Sequence, residues 1–207
     1  MSISVPYNFH SYSDLTTPCS STTVDISPSS LCPTHADSLF KDLDKRIDAA
    51  IGLDLSDSKH DILTKGIFSE GTLPSINQTA SFVNFLPMFA NIEVKKSNTD
   101  RDPLIQLGAW VAAEFNKRRI EGYSLNMPVL AIEIEGDAWN LHMVFAIEDQ
   151  GGGDFQCNFV GPVEMGSTRS IIGIFQILDR LCRCVDWGIE EYQQWFDSEV
   201  LAKYGKV

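Results

Sequence analysis

The sequence predicts a mixed α/β domain, and three observations carry that prediction. Residues 102–119 repeat apolar side chains at helical spacing between a capping residue and a glycine. Residues 128–160 alternate apolar and polar side chains over three short runs separated by Gly136-Asp137 and Gly151-Gly152-Gly153. The chain also orders its patterns as helix, strands, helix, strands, helices. A chain of 207 residues with 43% hydrophobic side chains is long enough to bury one core without disulfide staples.

Taken in order, residues 1–34 are rich in Ser, Thr and Pro and hold no period, so they read as an arm, extended or draped over the domain that follows at 35–207. A first helix is expected from a cap at Thr34 or Asp37 to Gly52, with Leu39, Leu43, Ile47, Ala50 and Ile51 on its inner face. Its polar side carries Asp42, Asp44 and Asp48, a solvated face. From His60 to Lys96 short apolar pieces broken by Gly66, Gly71 and Pro74 predict two or three strands, the last holding Ile92-Glu93-Val94-Lys95.

Asp102 then caps a helix with Pro103 at its first position; Leu104, Leu107, Val111 and Phe115 form its buried stripe, and Gly122 ends it. The meander of 128–160 follows. A helix over roughly Ser167–Trp187 is expected to turn Ile171, Ile172, Phe175 and Leu178 inward, and a last helix carries Tyr192, Trp195 and Phe196.

The charge narrows the functions. Sixteen Lys and Arg against 28 Asp and Glu leave −12, a surface that repels phosphate and anionic membranes unless a local basic strip intervenes. Lys95, Lys96 and Lys117-Arg118-Arg119 are the candidates for such a strip; the alternative for the last three is charge at a helix C-terminus. No apolar run spans a membrane, no secretory signal opens the chain, and the five cysteines lack metal-ligand spacing. A reduced cytoplasmic or nuclear setting follows as an expectation. Cys182 and Cys184 lie in a helical core pattern, which argues against a cysteine nucleophile.

Two constellations carry chemistry. Glu93 and Lys95 stand two apart on a strand and so project from one face. A carboxylate and an ammonium in that relation suit a metal-dependent phosphodiesterase: the Glu, with an upstream Asp, holds Mg²⁺, and the Lys polarises the phosphate or orients water. A Glu-x-Lys triplet arises about once by chance in a chain this long, and its plain alternative is a surface salt bridge. The second constellation is Glu133, Glu135 and His142 on adjacent strands, able to bind a metal or exchange protons, or to form an ordinary polar sheet face.

Three stretches carry a resemblance to a family. SINQTASFVNFLPMFANIEVKK (75–96), QLGAWVAAEF (106–115) and GPVEMGSTRSIIGIFQILDRLCRCVDW (161–187) together resemble the fungal PD-(D/E)XK nuclease-like domain over about residues 61–201. The resemblance implies a restriction-endonuclease-like αβββαβ core, a mixed sheet flanked by helices, plus two C-terminal helices. It carries Glu93 and Lys95 onto the family's Glu and Lys and Gln106 onto a polar position that faces the site. Asp61 is the best match for the upstream acid and, with Glu93, for a metal ligand; Glu70 is a fallback, and no Pro-Asp stands in the segment.

The resemblance and the charge together point to a repurposed nuclease scaffold acting on a small organic molecule, such as a tailoring or cyclising step in fungal natural-product biosynthesis. Glu93, Lys95, Asp61 and Gln106 are then the catalytic candidates, with Trp110, Trp139 and His142 as substrate-binding ones. No cofactor is expected in that reading. The alternative is a Mg²⁺-dependent DNA endonuclease using Asp61, Glu93 and Lys95. A third reading is a non-catalytic interaction protein that docks through the arm. Expected partners are a small-molecule substrate and, left open, a second copy of the chain; nucleic acid and membrane are not expected.

Overall fold

The computed structural model describes residues 19–20, 26–32, 47–70, 75–79, 85–96, 102–148 and 154–205. Its centre is a six-stranded mixed sheet whose spatial order follows the chain order. The strands are β1 (Cys19–Ser20), β2 (Ala49–Gly52), β3 (Met88–Lys95), β4 (Val129–Glu135), β5 (Ala138–Glu148) and β6 (Phe155–Ser167). Only β3 and β4 are parallel; every other neighbouring pair is antiparallel. A parallel pair needs a crossover, and α2 (Pro103–Glu121) supplies it.

The sequence marks α2 and the β4–β5 hairpin most sharply. The Asp102 carboxylate accepts from the Leu104 N–H at 2.9 Å, Pro103 opens the helix, and Gly122 closes it in the left-handed conformation at φ 75°. Only glycine takes that φ without steric cost, and its N–H reaches the carbonyls of Arg118 and Arg119. Gly136, at φ 61°, turns β4 into β5 with Glu135 paired to Ala138.

Elsewhere the expectations are corrected. Ala49–Gly52 is a strand paired to β3, not the end of a helix; residues 33–46, with Asp42 and Asp44, lie outside the described residues. A four-residue run of small and apolar side chains fits either period, and the open edge of β3 decides for the strand. Asp57–Glu70, expected to begin strands, is helix α1, whose Leu63 and Ile67 are buried. The tri-glycine turn falls at 149–153, outside the described residues, and β6 runs on to Ser167, past the end of the meander expected at 160. Of the Ser/Thr-rich segment, Cys19–Ser20 pairs with β2, and Ile26 and Leu31 pack into the core.

Two cores form, one on each face of the sheet. Leu107, Trp110, Val111 and Phe115 of α2 pack with Met88, Val129 and Val144 on one face. On the other, Leu63 and Ile67 of α1 and Tyr192, Phe196 and Val200 meet Phe89, Ile132 and Ile134. Tyr192, Phe196 and Val200 come from helical turns that continue unbroken from α3 (Ile171–Trp187) through Gly188–Tyr192, Gln193–Trp195, Phe196–Leu201 and Ala202–Tyr204. A glycine stands at 188 because any Cβ there would come within 2.6 Å of the Phe89 ring. The architecture is a restriction-endonuclease-like α/β fold with C-terminal helices.

Candidate functional site

Strand alternation sets which side chains share the α2 face. Asn91 accepts from the Trp110 indole N–H at 3.0 Å and donates to Glu114 at 3.2 Å, so odd positions of β3 point at α2. Glu93 and Lys95 therefore point there as well. Lys95 Nζ lies 2.5 Å from Glu93 Oε1 and donates to Gln106 Oε1 at 3.0 Å. The Glu93 side chain is 1% exposed and that of Lys95 24%, so the ammonium is the more accessible end of the pair. Burial removes water from Glu93, and a carboxylate survives there only beside a positive charge. Gln106 sits one turn into α2, which is how a helix after the strand brings an amide to the Lys95 head.

The neighbouring strands add acids to the same row. β4 runs parallel to β3 in the register Glu93↔Glu133 and Lys95↔Glu135, and β5 answers with Glu133↔Asn140. Residues in register on adjacent strands share a face. His142 is 2% exposed, its Nε2 lies 3.2 Å from Glu133 Oε2, and its ring meets Phe159 edge-on. Glu93, Lys95, Gln106, Glu133 and His142 thus lie on one side of the sheet.

Asp61 does not join them. It lies on α1, which packs on the opposite face, and its side chain is 68% exposed and paired with Lys65 at 3.5 Å. An exposed helical turn has no means of reaching a carboxylate across the sheet. Glu70 ends the same helix.

A second acid, Asp48, reaches the same stretch of β3 from one residue before β2. The antiparallel register Ala49↔Ile92, carried back one residue, sets Asp48 across from Glu93, and its Oδ2 accepts from the Val94 N–H at 2.7 Å. Asp48 reads as the polar side of a helix at period 3.6; the signal that places it is the pairing of Ala49-Ala50-Ile51 with β3, a long-range fact.

The remaining candidates divide. Trp110 is 1% exposed and serves the core. Trp139 packs on the other face, against the α1 core, away from Glu93. The expected basic strip is not a strip. Lys117 and Arg118 are buried, Lys117 on Glu121 at 2.9 Å and Arg118 on Glu114 and the Met127 carbonyl. Arg118 also lies over the Trp195 and Phe115 rings. That leaves Lys95, Lys96 and Arg119 reaching solvent. Burial pushes the thiols of Cys157 and Cys184 up to about 11, which keeps both protonated and poor as nucleophiles at neutral pH.

Among the described residues no three His, Cys, Asp or Glu side chains converge as a metal set. Asp48, the residue that precedes β2, and Glu93 on β3 are nevertheless hard oxygen donors. Mg²⁺ asks for one or two carboxylates and fills its octahedron with water, so by donor type the two acids suit such a cation rather than zinc; as folded, both Glu93 oxygens are buried and one is held by Lys95.

The fold and this Glu-x-Lys strand define a class, and comparison with known families names it. A family model described as the PD-(D/E)XK nuclease superfamily matches residues 7–193. The chain belongs to that superfamily. No curated protein and no solved structure matches it. No helix among the described residues is long and apolar enough to cross a membrane.

Proposed function

We propose that the chain hydrolyses phosphodiester bonds with the help of a divalent cation, and that its substrate is small or single-stranded. The observation that carries this is the Asp48 carboxylate, which accepts from the Val94 N–H between Glu93 and Lys95 on β3. It supplies the second acid that the sequence left without a convincing owner. Asp48 and Glu93 would hold Mg²⁺ or Mn²⁺. When bound, the cation polarises a phosphoryl oxygen and makes a coordinated water more acidic. Lys95 donates to a phosphate oxygen or orients the attacking water, and Gln106 holds its head in place through the 3.0 Å hydrogen bond.

The size of the substrate follows from charge. A long duplex is held by many phosphate contacts, typically ~6–10 for a dedicated binder. With Lys117 and Arg118 buried in ion pairs and −12 overall, the cations left beside the site among the described residues, Lys95, Lys96 and Arg119, are too few for that task. A tailoring or cyclising step on a small fungal metabolite is the second reading. The direct 2.5 Å Lys95–Glu93 contact favours it, since that pair can exchange a proton without a metal.

The test compares an activated phosphodiester, a short single strand and a plasmid duplex, with Mn²⁺, with Mg²⁺ and with chelator. Turnover of the first two, stopped by chelator, is expected. Glu93→Gln and Asp48→Asn should each lower kcat by ~10²-fold or more, and Asp61→Asn should leave it unchanged. Absence of turnover together with absence of a cation-induced rise in Tm refutes the proposal. Faster cleavage of the duplex refutes the small-substrate part alone. Metabolite turnover that survives chelator would favour the second reading.

A further inference from the structure

The helix expected to bury Ile171, Ile172, Phe175 and Leu178 turns them outward instead. They are 74, 73, 67 and 51% exposed. Its inner face is made by Gly173, Ile177 and Cys184. The side that packs on the sheet is fixed by Gly173, where any Cβ would lie 2.0 Å from the Ser167 carbonyl oxygen. No rotation of α3 can therefore hide the apolar stripe. Val160 and Val163 extend the patch. They pair with Met143 and Leu141, whose side chains lie on the α3 side of the sheet, and they are 54 and 56% exposed. Six large apolar side chains on one surface of a chain this acidic mark an interface.

We infer that this face is where a second copy of the chain docks, with the two α3 helices antiparallel across a two-fold axis near Phe175. Opposite charges at the two ends of the stripe carry the choice of occupant. Arg169 and the α3 N-terminus, capped by the Ser170 hydroxyl on the Gly173 N–H, form its positive end. Asp179 lies one residue beyond Leu178 at the other end. Antiparallel pairing about Phe175 sets Asp179 of each copy at the positive end of the other and packs Ile172 against Leu178 of the second copy. Two-fold contacts of this self-matching kind close as dimers. Within the chain Asp179 pairs with Arg183, an exposed pair that exchanges at little cost, and Arg169 pairs with Asp137, a half-buried carboxylate that keeps the Ser167 hydroxyl when Arg169 turns away. An anionic membrane is the poorer occupant, because Glu164 and Asp179 border the patch and the chain carries −12.

The test is sedimentation equilibrium of the full chain from about 1 to about 200 µM. A reversible dimer is expected. Phe175→Asp should raise its Kd by ~100-fold or more, with circular dichroism unchanged because the side chain is exposed. Asp179→Arg should weaken the dimer about tenfold, and Arg169→Asp combined with Asp179→Arg should restore it. A wild-type monomer across the whole range overturns the inference, and so does a dimer that survives Phe175→Asp. Flotation of the wild type with anionic vesicles, lost in Phe175→Asp and unaccompanied by a dimer, also overturns it and assigns the face to a membrane.

Discussion

Helices α2 and α3 invert the ordinary rule for what a protein buries, in opposite directions. On α2, Glu114, Lys117 and Arg118 are 6, 2 and 4% exposed. On α3, Ile171, Ile172 and Phe175 are among the most exposed large apolar side chains of the described residues. The two cases obey one principle. A side chain is placed by whether its neighbours can satisfy it, not by its polarity alone. The charges of α2 are buried because each finds a partner: Arg118 has Glu114, the Met127 carbonyl and two aromatic faces, and Glu121 has both Lys117 and Lys203. The apolar stripe of α3 is exposed because the close approach at Gly173 leaves the helix one orientation, and no described segment covers the other side.

The comparison can be broken most forcefully at Arg118. Arg118→Ala leaves Glu114 buried without its guanidinium, and unfolding in urea should show a loss of about 3–5 kcal/mol. A loss below ~1 kcal/mol would mean that the α2 charges are screened by water and that the contrast with α3 is only apparent.

Acid titration gives the next largest effect. Burial works to raise the Glu121 carboxyl, but hydrogen bonds from Lys117 and Lys203 outweigh it and hold the group below its ordinary value of 4.5. A carboxyl depressed in the folded state binds more protons when unfolded, so its stabilisation is complete above the unfolded value and is lost as pH falls through the folded one. Glu121→Gln should flatten the pH dependence of Tm below pH 4.5. Identical slopes for variant and wild type would show that the Lys117–Glu121–Lys203 cluster does not hold the α2 end.

The smallest effect should come from α3. Phe175→Ser, measured at a concentration too low for association, should change unfolding free energy by no more than about 0.5 kcal/mol. A loss of several kcal/mol would mean that Phe175 is covered in the monomer.

The sequence by itself determined the parts whose reasons are local. The Asp102 cap, Pro103 and Gly122 fix α2 wherever it sits, and Gly136 fixes the β4–β5 turn. Glu93 and Lys95 share a face because a strand has period two, and the superfamily follows from their context. Tertiary structure decided the rest. Ala49–Gly52 and Asp57–Glu70 have weak or ambiguous periods, and only pairing with β3 and packing of Leu63 and Ile67 separated strand from helix. That exchange moved the candidate acid from Asp61 to Asp48. Periodicity also located the apolar stripe of α3 but could not say which way it faced, because an amphipathic pattern records that a helix has two sides and not which side the sheet takes. The 2.0 Å approach at Gly173 supplies that choice, and it exists only once β6 and α3 are folded together.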